Sequence, residues 1–392
     1  MQSDFIFTSE SVTDGHPDKL CDQISDAVVG HFLKQDPAAR VIAECAVTTG
    51  LVFLSVKFRS TAAVNAGDIA RDVVGRVGYD GPSFSAKNCT VMTSLHELPV
   101  YQGPEERDLD DGELDRLVAQ DQATLFGFAC SHTPALMPLP IALAHKLARQ
   151  IDVVRRRTLR YLAPDAKTQV GVEFHAHRPR RIHGVTLIAS QLERDAPQLP
   201  RLRDDLIEAV IRPVFADEPI RPDDRTRVAI NPEGPIFPGG PASHAGLTGR
   251  KTAVDTYGEF ARHSGAALSG KDPSRIDRIG AYGARHAARN VVSAGLADLC
   301  EVQLTYSVGL PGPVSIQVET YGTGRIDEGE ISRRVAQAFD FRVGAIVRRL
   351  RLREFLARDA GFFRKLAVYG HMGRTDLDLP WEKSDKVDAL RS

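Results

Sequence analysis

The stretch Gly15–Val28, which reads GHPDKLCDQISDAV, predicts the start of the helix around which the rest of the chain is arranged. Pro17 suits the first turn of a helix, and Leu20, Ile24 and Val28 follow it at helical spacing. A histidine, a carboxylate and a lysine crowd that first turn, where free backbone N–H groups attract anions. The same pattern also fits an ordinary capped helix with a solvated polar first turn.

Two further segments combine glycine with cationic residues, as the first one does. They are Gly246–Lys251, GLTGRK, and Ser269–Pro273, SGKDP. Glycine lets a ligand approach the backbone closely, and lysine and arginine attract phosphate oxygens. Because three such stretches occur in one chain, the sequence predicts a polyphosphate that is held from several sides together with a metal ion. The G-x-x-x-x-G-K-[ST] sequence of P-loop enzymes does not occur.

Composition and charge exclude several classes of protein. The chain has 392 residues, 26% of them charged, and a formal net charge of −1 at pH 7. This length favours two or three domains, and the balanced charge provides no basic field for nucleic acid. The five cysteines are scattered, which argues against a disulfide framework or a zinc site and favours a reducing cytoplasm. We expect a soluble, cytoplasmic protein without a signal segment or a membrane partner.

The predicted elements follow one order three times: helix, hairpin, helix, strand. The first copy has the helix from Pro17, then Val41–Val47, Leu51–Phe58, Thr61–Val77 and Asn88–Leu95. The second has Leu139–Arg157, Thr168–Phe174, Ile182–Ser190, Leu199–Ile211 and Arg227–Ile230. The third has Ser274–Ala294, Glu301–Val308, Val314–Thr320, Ile331–Leu350 and Leu366–Tyr369. We therefore predict an α+β fold of three pseudo-repeated α/β domains, each a sheet covered by helices, around a pseudo-threefold centre.

The predicted repeats divide the chain into residues 1–101, 113–231 and 232–392. Residues 99–112, between the first two, are polar and acidic and show no periodicity. Such a stretch is either a mobile loop near an active site or a plain linker.

Short motifs along the whole chain share their order and register with one known family. They are Phe7–Asp26, Asp121–Gln122, Phe126–Gly127, Pro164–Lys167, Gly239–Pro241, Gly246–Lys251, Val254–Gly258, Ser269–Pro273 and Pro380–Lys383. Together they resemble S-adenosylmethionine synthetase, also called methionine adenosyltransferase. The resemblance implies three pseudo-repeated α/β domains, in agreement with the repeat pattern. It also implies a homodimer, often paired into a tetramer, with active sites at the subunit interface.

The resemblance implies an ATP-dependent adenosyl transfer. A thioether sulfur would attack C5′ of ATP and expel tripolyphosphate, which is then cleaved to pyrophosphate and phosphate. A leaving group with so much negative charge requires cations and metal ions where the charge builds up. The implied metal ions are Mg²⁺ and K⁺, and the implied substrates are ATP and methionine or a related thioether.

The resemblance also implies roles for individual residues. His16 would contact the phosphate next to the breaking C5′–O bond and help the leaving group depart. The implied catalytic residues are His16, Lys167, Arg250 and Lys271. The implied ATP-binding residues are His16, Asp121, Asp165, Lys167, Arg250, Lys251, Ala267 and Lys271. Arginine can hold a phosphate through two hydrogen bonds, whereas lysine acts as a point charge.

Three carboxylates match the metal ligands of the family. Asp18 and Asp277 would bind Mg²⁺, which proteins usually hold through one or two carboxylates and phosphate oxygens. Glu44 would bind K⁺. The alternatives are helix capping for the two aspartates and a buried hydrogen-bonding role on a strand for Glu44.

The departures from the family fall on the thioether substrate. Lys57 and Glu97 stand where the family has a glutamate and a glutamine, and His244 replaces the aspartate that pairs with the ammonium of methionine. Losing a buried partner of a charge typically costs about 2–5 kcal/mol. We hypothesise that these residues, with Lys271, recognise a thioether whose polar end differs from that of methionine. Alternatively, Lys57 and Glu97 exchange charges with each other and methionine still binds.

Two other functions are open on the sequence. A tripolyphosphatase or nucleotide hydrolase would keep the phosphate-binding residues and lose the thioether site. A non-catalytic homologue that regulates a true synthetase would have no need of the metal ligands and cations that this chain retains.

Overall fold

The computed structural model of the chain describes residues 4–99, 110, 112–192 and 196–392. Its strands are β1 (Asp4–Val12), β2 (Arg40–Thr48), β3 (Leu51–Arg59), β4 (Thr90–Glu97), β5 (Ala123–Cys130), β6 (Leu162–His175), β7 (Arg178–Gln191), β8 (Arg227–Ile230), β9 (Gly246–Leu247), β10 (Leu299–Tyr306) and β11 (Ser315–Glu319). Its α-helices are α1 (Pro17–Gln35), α2 (Ala66–Val77), α3 (Leu139–Arg157), α4 (Leu199–Leu206), α5 (Arg212–Phe215), α6 (Thr252–Asp255), α7 (Ile276–Ser293), α8 (Glu328–Ala338), α9 (Val343–Leu350), α10 (Leu352–Arg358), α11 (Phe362–Leu366) and α12 (Val387–Arg391). None of the described helices is both long and apolar enough to cross a bilayer.

Each of the three sheets combines strands from two of the predicted repeats. The strand orders are β4-β3-β2-β9, β1-β6-β7-β8 and β11-β10-β5. β9 comes from the third repeat, β1 from the first and β5 from the second, so the exchange is cyclic. β3 pairs with β4 and β7 with β8 in parallel, whereas the other pairs are antiparallel. Each sheet therefore crosses a predicted boundary between repeats. The division into residues 1–101, 113–231 and 232–392 stays a prediction.

The predicted α+β fold of three pseudo-repeated units is confirmed, with corrections to single elements. The predicted strand at Leu366–Tyr369 is wrong, since this short apolar run ends α11 and continues as a bend. The helix predicted from Thr61 begins at Ala66, because the Asn65 side chain caps it there. The predicted loop 99–112 lies largely outside the described residues.

Helix α1 is buried along most of its length, which contradicts the alternative of a solvated polar first turn. Its neighbours include β2, β9, α2, α10 and α11. Lys19 is fully buried and forms ion pairs with Asp22 and Asp255, the latter from α6. A buried charge needs a partner of opposite charge. Asp255 shows that the third predicted repeat provides such a partner for α1.

The ion pair between Asp26 and Arg278 predicts a large loss of stability in one variant. Both side chains are fully buried, Arg278 Nη2 lies 2.5 Å from Asp26 Oδ1, and the guanidinium stacks on Phe363. Arg278→Met leaves the carboxylate unpaired and should lower the free energy of unfolding by about 3–5 kcal/mol. Urea unfolding at fixed protein concentration measures this free energy. Arg333→Met, at an exposed pair with Glu330, should cost about 0–1 kcal/mol, and equal losses would contradict the prediction.

Candidate active site

The segment Gly246–Lys251 is fastened to the first turns of α1 by two carboxylates. Asp18 Oδ1 accepts a hydrogen bond from the backbone N–H of Leu247 at 3.0 Å. One turn later, Asp22 Oδ1 accepts one from Gly249 at 2.8 Å. Gly270 N, in the third stretch, donates to Asp26 Oδ1 at 2.8 Å, so both glycine-rich stretches contact the first one.

His16 is buried and caps the N-terminus of α1. Its Nδ1 accepts a hydrogen bond from the backbone N–H of Asp18 at 3.2 Å, so the neutral ring carries its proton on Nε2. Nε2 has no hydrogen-bond partner among the described residues. Burial lowers the pKa of His16 to about 4, which keeps the ring neutral near pH 7. The ring can therefore offer one N–H to an anion.

Asp165 on β6 and the His244 side chain lie against His16. Asp165 Oδ2 accepts a hydrogen bond from Gly240 N at 3.0 Å and lies 3.1 Å from His244 Nε2. The two histidine ring centroids are 5.1 Å apart. Burial acts to raise the pKa of Asp165, but its hydrogen bonds with His244 and with the backbone N–H of Gly240 leave it below its usual range. The carboxylate is therefore ionised.

Two cations from the Gly246–Lys251 segment face the same place. Arg250 Nη1 lies 3.7 Å from Asp18 Oδ1, and Lys251 Nζ lies 3.8 Å from Asp18 Oδ2. Lys251 Nζ is also 3.6 Å from Glu10 Oε1. These separations are longer than hydrogen bonds, so both cations can turn toward an anionic ligand.

Two more of the implied ATP-binding residues lie beside these groups. Lys167 is exposed on β6 and pairs with Val12, from which the chain continues to His16. Ala267 packs on Gly249 so closely that a Cβ added there would lie 2.4 Å from the Ala267 Cβ. We call this set the α1 cluster: His16, Asp18, Asp165, Lys167, His244, Arg250, Lys251 and Ala267.

The remaining implied ATP-binding residues, Asp121 and Lys271, lie near the start of α7 together with Asp277, the second implied Mg²⁺ ligand. Lys271 Nζ lies 2.8 Å from Asp277 Oδ2, and Arg275 Nη1 lies 3.5 Å from Asp121 Oδ2. The backbone of Lys271 forms a β-bridge with Ile42 of β2. We call Asp121, Lys271, Arg275 and Asp277 the α7 cluster. Within the described ranges, no hydrogen bond or ion pair joins it to the α1 cluster.

Asp18 and Asp277 fit Mg²⁺ that arrives with a nucleotide. Neither carboxylate caps its helix, because His16 caps α1 and no side chain caps α7; the capping alternative is therefore wrong. Each is nearly buried and faces cations. Neither belongs to a group of three metal-ligating side chains among the described residues. Such a carboxylate suits Mg²⁺ whose other ligands are phosphate oxygens and water.

Three predicted ligands lie on β2, β3 and β4, and no hydrogen bond or ion pair among the described residues joins them to either cluster. Glu44 is exposed, so the alternative of a buried hydrogen-bonding role does not hold in the single chain. Lys57 pairs in register with His96, and Glu97 with Phe58. Successive side chains point to opposite faces of a sheet. Lys57 and Glu97 therefore lie on opposite faces of the sheet and do not compensate each other's charge directly, whereas the binding of methionine stays a prediction.

Two residues that no sequence motif had indicated hold the segments around His16 in place. Asp22 binds the Gly246–Lys251 segment, and its spacing of four residues from Asp18 could have indicated a shared face of α1. Tyr79 donates its hydroxyl hydrogen to the carbonyl of Gly15 and packs on Gly240, which has a φ of +72° and no room for a Cβ. No local pattern indicates this distant contact.

Comparison with known proteins agrees with the resemblance seen in the motifs. Models of the S-adenosylmethionine synthetase N-terminal, central and C-terminal domains match residues 4–99, 116–236 and 238–383. The S-adenosylmethionine synthase of Synechococcus sp. (strain JA-2-3B'a(2-13)) is 49% identical over 403 residues, which cover 98% of this chain and 97% of the relative. That of Gloeobacter violaceus is 47% identical over 411 residues, covering 99% and 98%. The chain belongs to the S-adenosylmethionine synthetase family.

Proposed function

We propose that the chain transfers adenosyl from ATP to the sulfur of methionine, producing S-adenosylmethionine, and cleaves the released tripolyphosphate to pyrophosphate and phosphate. Relatives named S-adenosylmethionine synthase match nearly the whole chain at 45–49% identity, which supports the overall reaction. The observation that carries the proposal is the α1 cluster, where a neutral histidine, cations and carboxylates meet at a helix start.

His16 supplies a hydrogen bond to the leaving group. Its Nε2–H is free because Nδ1 is engaged by the backbone of α1. A donor fixed in place before the reaction stabilises charge as it develops and costs no reorganisation. His16 therefore donates to the phosphate oxygen next to the breaking C5′–O bond.

The cations of the two clusters neutralise the triphosphate. Arg250 can bind two phosphate oxygens at once, whereas Lys167, Lys251 and Lys271 act as point charges. Asp18 and Asp277 would hold Mg²⁺, which supplies further positive charge to the phosphates when bound. Glu44 would hold K⁺ from its exposed position on β2.

The active site is shared between the two subunits of a homodimer. Leu247, Ala46, Phe53 and Met92 follow one another in register across the sheet β4-β3-β2-β9. Leu247, Phe53 and Met92 are 44%, 39% and 53% exposed, which is an apolar row that a second copy would cover.

Both clusters border this open face. Leu247 belongs to the segment that carries Arg250, and Lys271 bridges to Ile42 on β2. A second copy on the face therefore brings the α7 cluster of one chain toward the α1 cluster of the other.

A second candidate substrate is a thioether with a different polar end. His244 Nε2 faces Asp165, so this position offers an imidazole and no carboxylate to the ammonium of methionine. A substrate without that ammonium would lose no ion pair at this position. Initial rates with methionine and with its deamino and 2-oxo analogues test this candidate, and a clear preference for methionine would exclude it.

Product analysis tests the proposed function. The full chain with ATP, Mg²⁺, K⁺ and methionine should yield S-adenosylmethionine, pyrophosphate and phosphate in equal amounts, measured by mass spectrometry and phosphate assays. Phosphate release without a sulfonium product would identify a tripolyphosphatase or nucleotide hydrolase instead. Absence of all three products with every thioether would favour a regulatory homologue. A reaction without thioether is the control for background hydrolysis.

A further inference from the structure

His16, Asp165 and His244 form the one group of three metal-ligating side chains found among the described residues. Each offers a ligand atom, and these atoms all lie within 4.8 Å of one another. We infer that the three side chains bind a transition-metal ion of the Zn²⁺ class, separate from the Mg²⁺ that accompanies ATP. Two imidazoles, one carboxylate and an open fourth position are typical of zinc sites, whereas Mg²⁺ prefers oxygen ligands alone.

The spacing between His244 and Asp165 suits such an ion. His244 Nε2 lies 3.1 Å from Asp165 Oδ2. Two tetrahedral ligands at bond lengths of about 2.0–2.1 Å lie about 3.3 Å apart. The ion therefore replaces the proton between the two atoms after a small outward movement. The displaced proton passes through solvent to Nδ1 of the same ring.

Asp165 has binding capacity that the protein does not use. Its Oδ1 is buried and has no hydrogen-bond partner, although the backbone and His244 satisfy Oδ2. An unsatisfied buried carboxylate oxygen is unfavourable. A cation that contacts Oδ1 as well as Oδ2 removes that penalty, which gives the ion an affinity that three exposed side chains would not provide.

His16 completes the site through a change of tautomer. Binding at Nε2 moves the ring proton to Nδ1, which lies 3.8 Å from Asp18 Oδ2. Histidines that bind metals usually donate their other N–H to a carboxylate or a carbonyl. A small rotation of the Asp18 side chain makes its carboxylate this acceptor. The hydrogen bond from the backbone N–H of Asp18 to His16 Nδ1 is then lost.

An ion at this position blocks adenosyl transfer, a consequence that rests on the proposed function. It removes the Nε2–H of His16 from the phosphate site and occupies Asp165. The cysteine pattern argued against a zinc site, but this ligand set contains no cysteine. It depends on His244, one of the three residues that were predicted to depart from the family.

Metal titration of the full chain tests the site. After chelator treatment and without nucleotide, the wild-type chain should bind one Zn²⁺ by calorimetry and give the visible absorption of tetrahedral Co²⁺. His244→Asn removes a ligand and should weaken binding at least about 10-fold. His16→Asn, which retains a cap for α1, should do the same. The matched control is His175→Asn, because His175 pairs with Asp4 at an exposed site and is not part of the group of three ligands.

Loss of affinity in both site variants and unchanged affinity in the control supports the proposal. Equal Zn²⁺ affinity in the wild type and His244→Asn would overturn it, as would the absence of a bound equivalent in the wild type. Zn²⁺ should also inhibit adenosyl transfer. The Zn²⁺ concentration that halves the rate should be lower for the wild type than for His244→Asn. Metal binding in a chain that forms no sulfonium product would support the site while refuting the proposed function.

Discussion

Replacing His16 with asparagine should lower kcat for S-adenosylmethionine formation at least about 100-fold, because a preorganised donor to the developing charge is lost. In the proposed mechanism, the Nε2–H of His16 binds the phosphate oxygen as the C5′–O bond breaks. Asparagine is a good helix cap, so its side chain can replace Nδ1 as the acceptor for the backbone of α1. It is too short to reach the phosphate as well.

Single-turnover measurement of the adenosyl product at saturating ATP and methionine checks this expectation. His175→Asn is the matched control, since its ring is exposed on β6 and touches neither cluster. The control should keep the wild-type rate. An unchanged thermal midpoint in His16→Asn would show that the loss is chemical. A variant that retains more than a tenth of the wild-type kcat would remove His16 from the proposed role.

The predictable part of the fold is local. The β2–β3, β6–β7 and β10–β11 hairpins have alternating β-rich strands that are close in sequence, and the long helices have clear periodicity. The exchanged strands were not predicted, because β1 pairs with β6 across more than a hundred residues. A short strand such as β9 has no alternation to recognise. Pairing of this kind depends on the packing of the whole chain.

In the candidate site, too, local motifs were predictable and contacts between distant residues were not. His16, Asp18, Arg250 and Lys251 were predicted together and lie together, because the glycine-rich motifs that contain them need close backbone approach. The pairing of His244 with Asp165 could not be predicted, since the partners are far apart in sequence. The predicted grouping of Lys57 and Glu97 with His244 is not seen in the single chain, since no hydrogen bond or ion pair among the described residues joins either of them to His244.

The separation of the two clusters predicts an unusual complementation between inactive subunits. His16→Asn disables the α1 cluster, and Lys271→Gln disables the α7 cluster while keeping a hydrogen-bond donor for Asp277. Each homodimer should be inactive. A heterodimer with one variant in each chain has one site with both defects and one site with none. It should therefore show about half of the wild-type activity, because a twofold dimer has two equivalent sites.

Two affinity tags allow purification of the heterodimers, and the adenosyl product is again the readout. The reciprocal control places both substitutions in one chain and pairs it with a wild-type chain. If the sites are shared, each site of this second heterodimer has one defect and the dimer should be inactive. If each site lies within one chain, the outcomes reverse: the first heterodimer is inactive and the second keeps its wild-type site. Because the same substitutions are present in both heterodimers, a difference in activity reports only which clusters face each other.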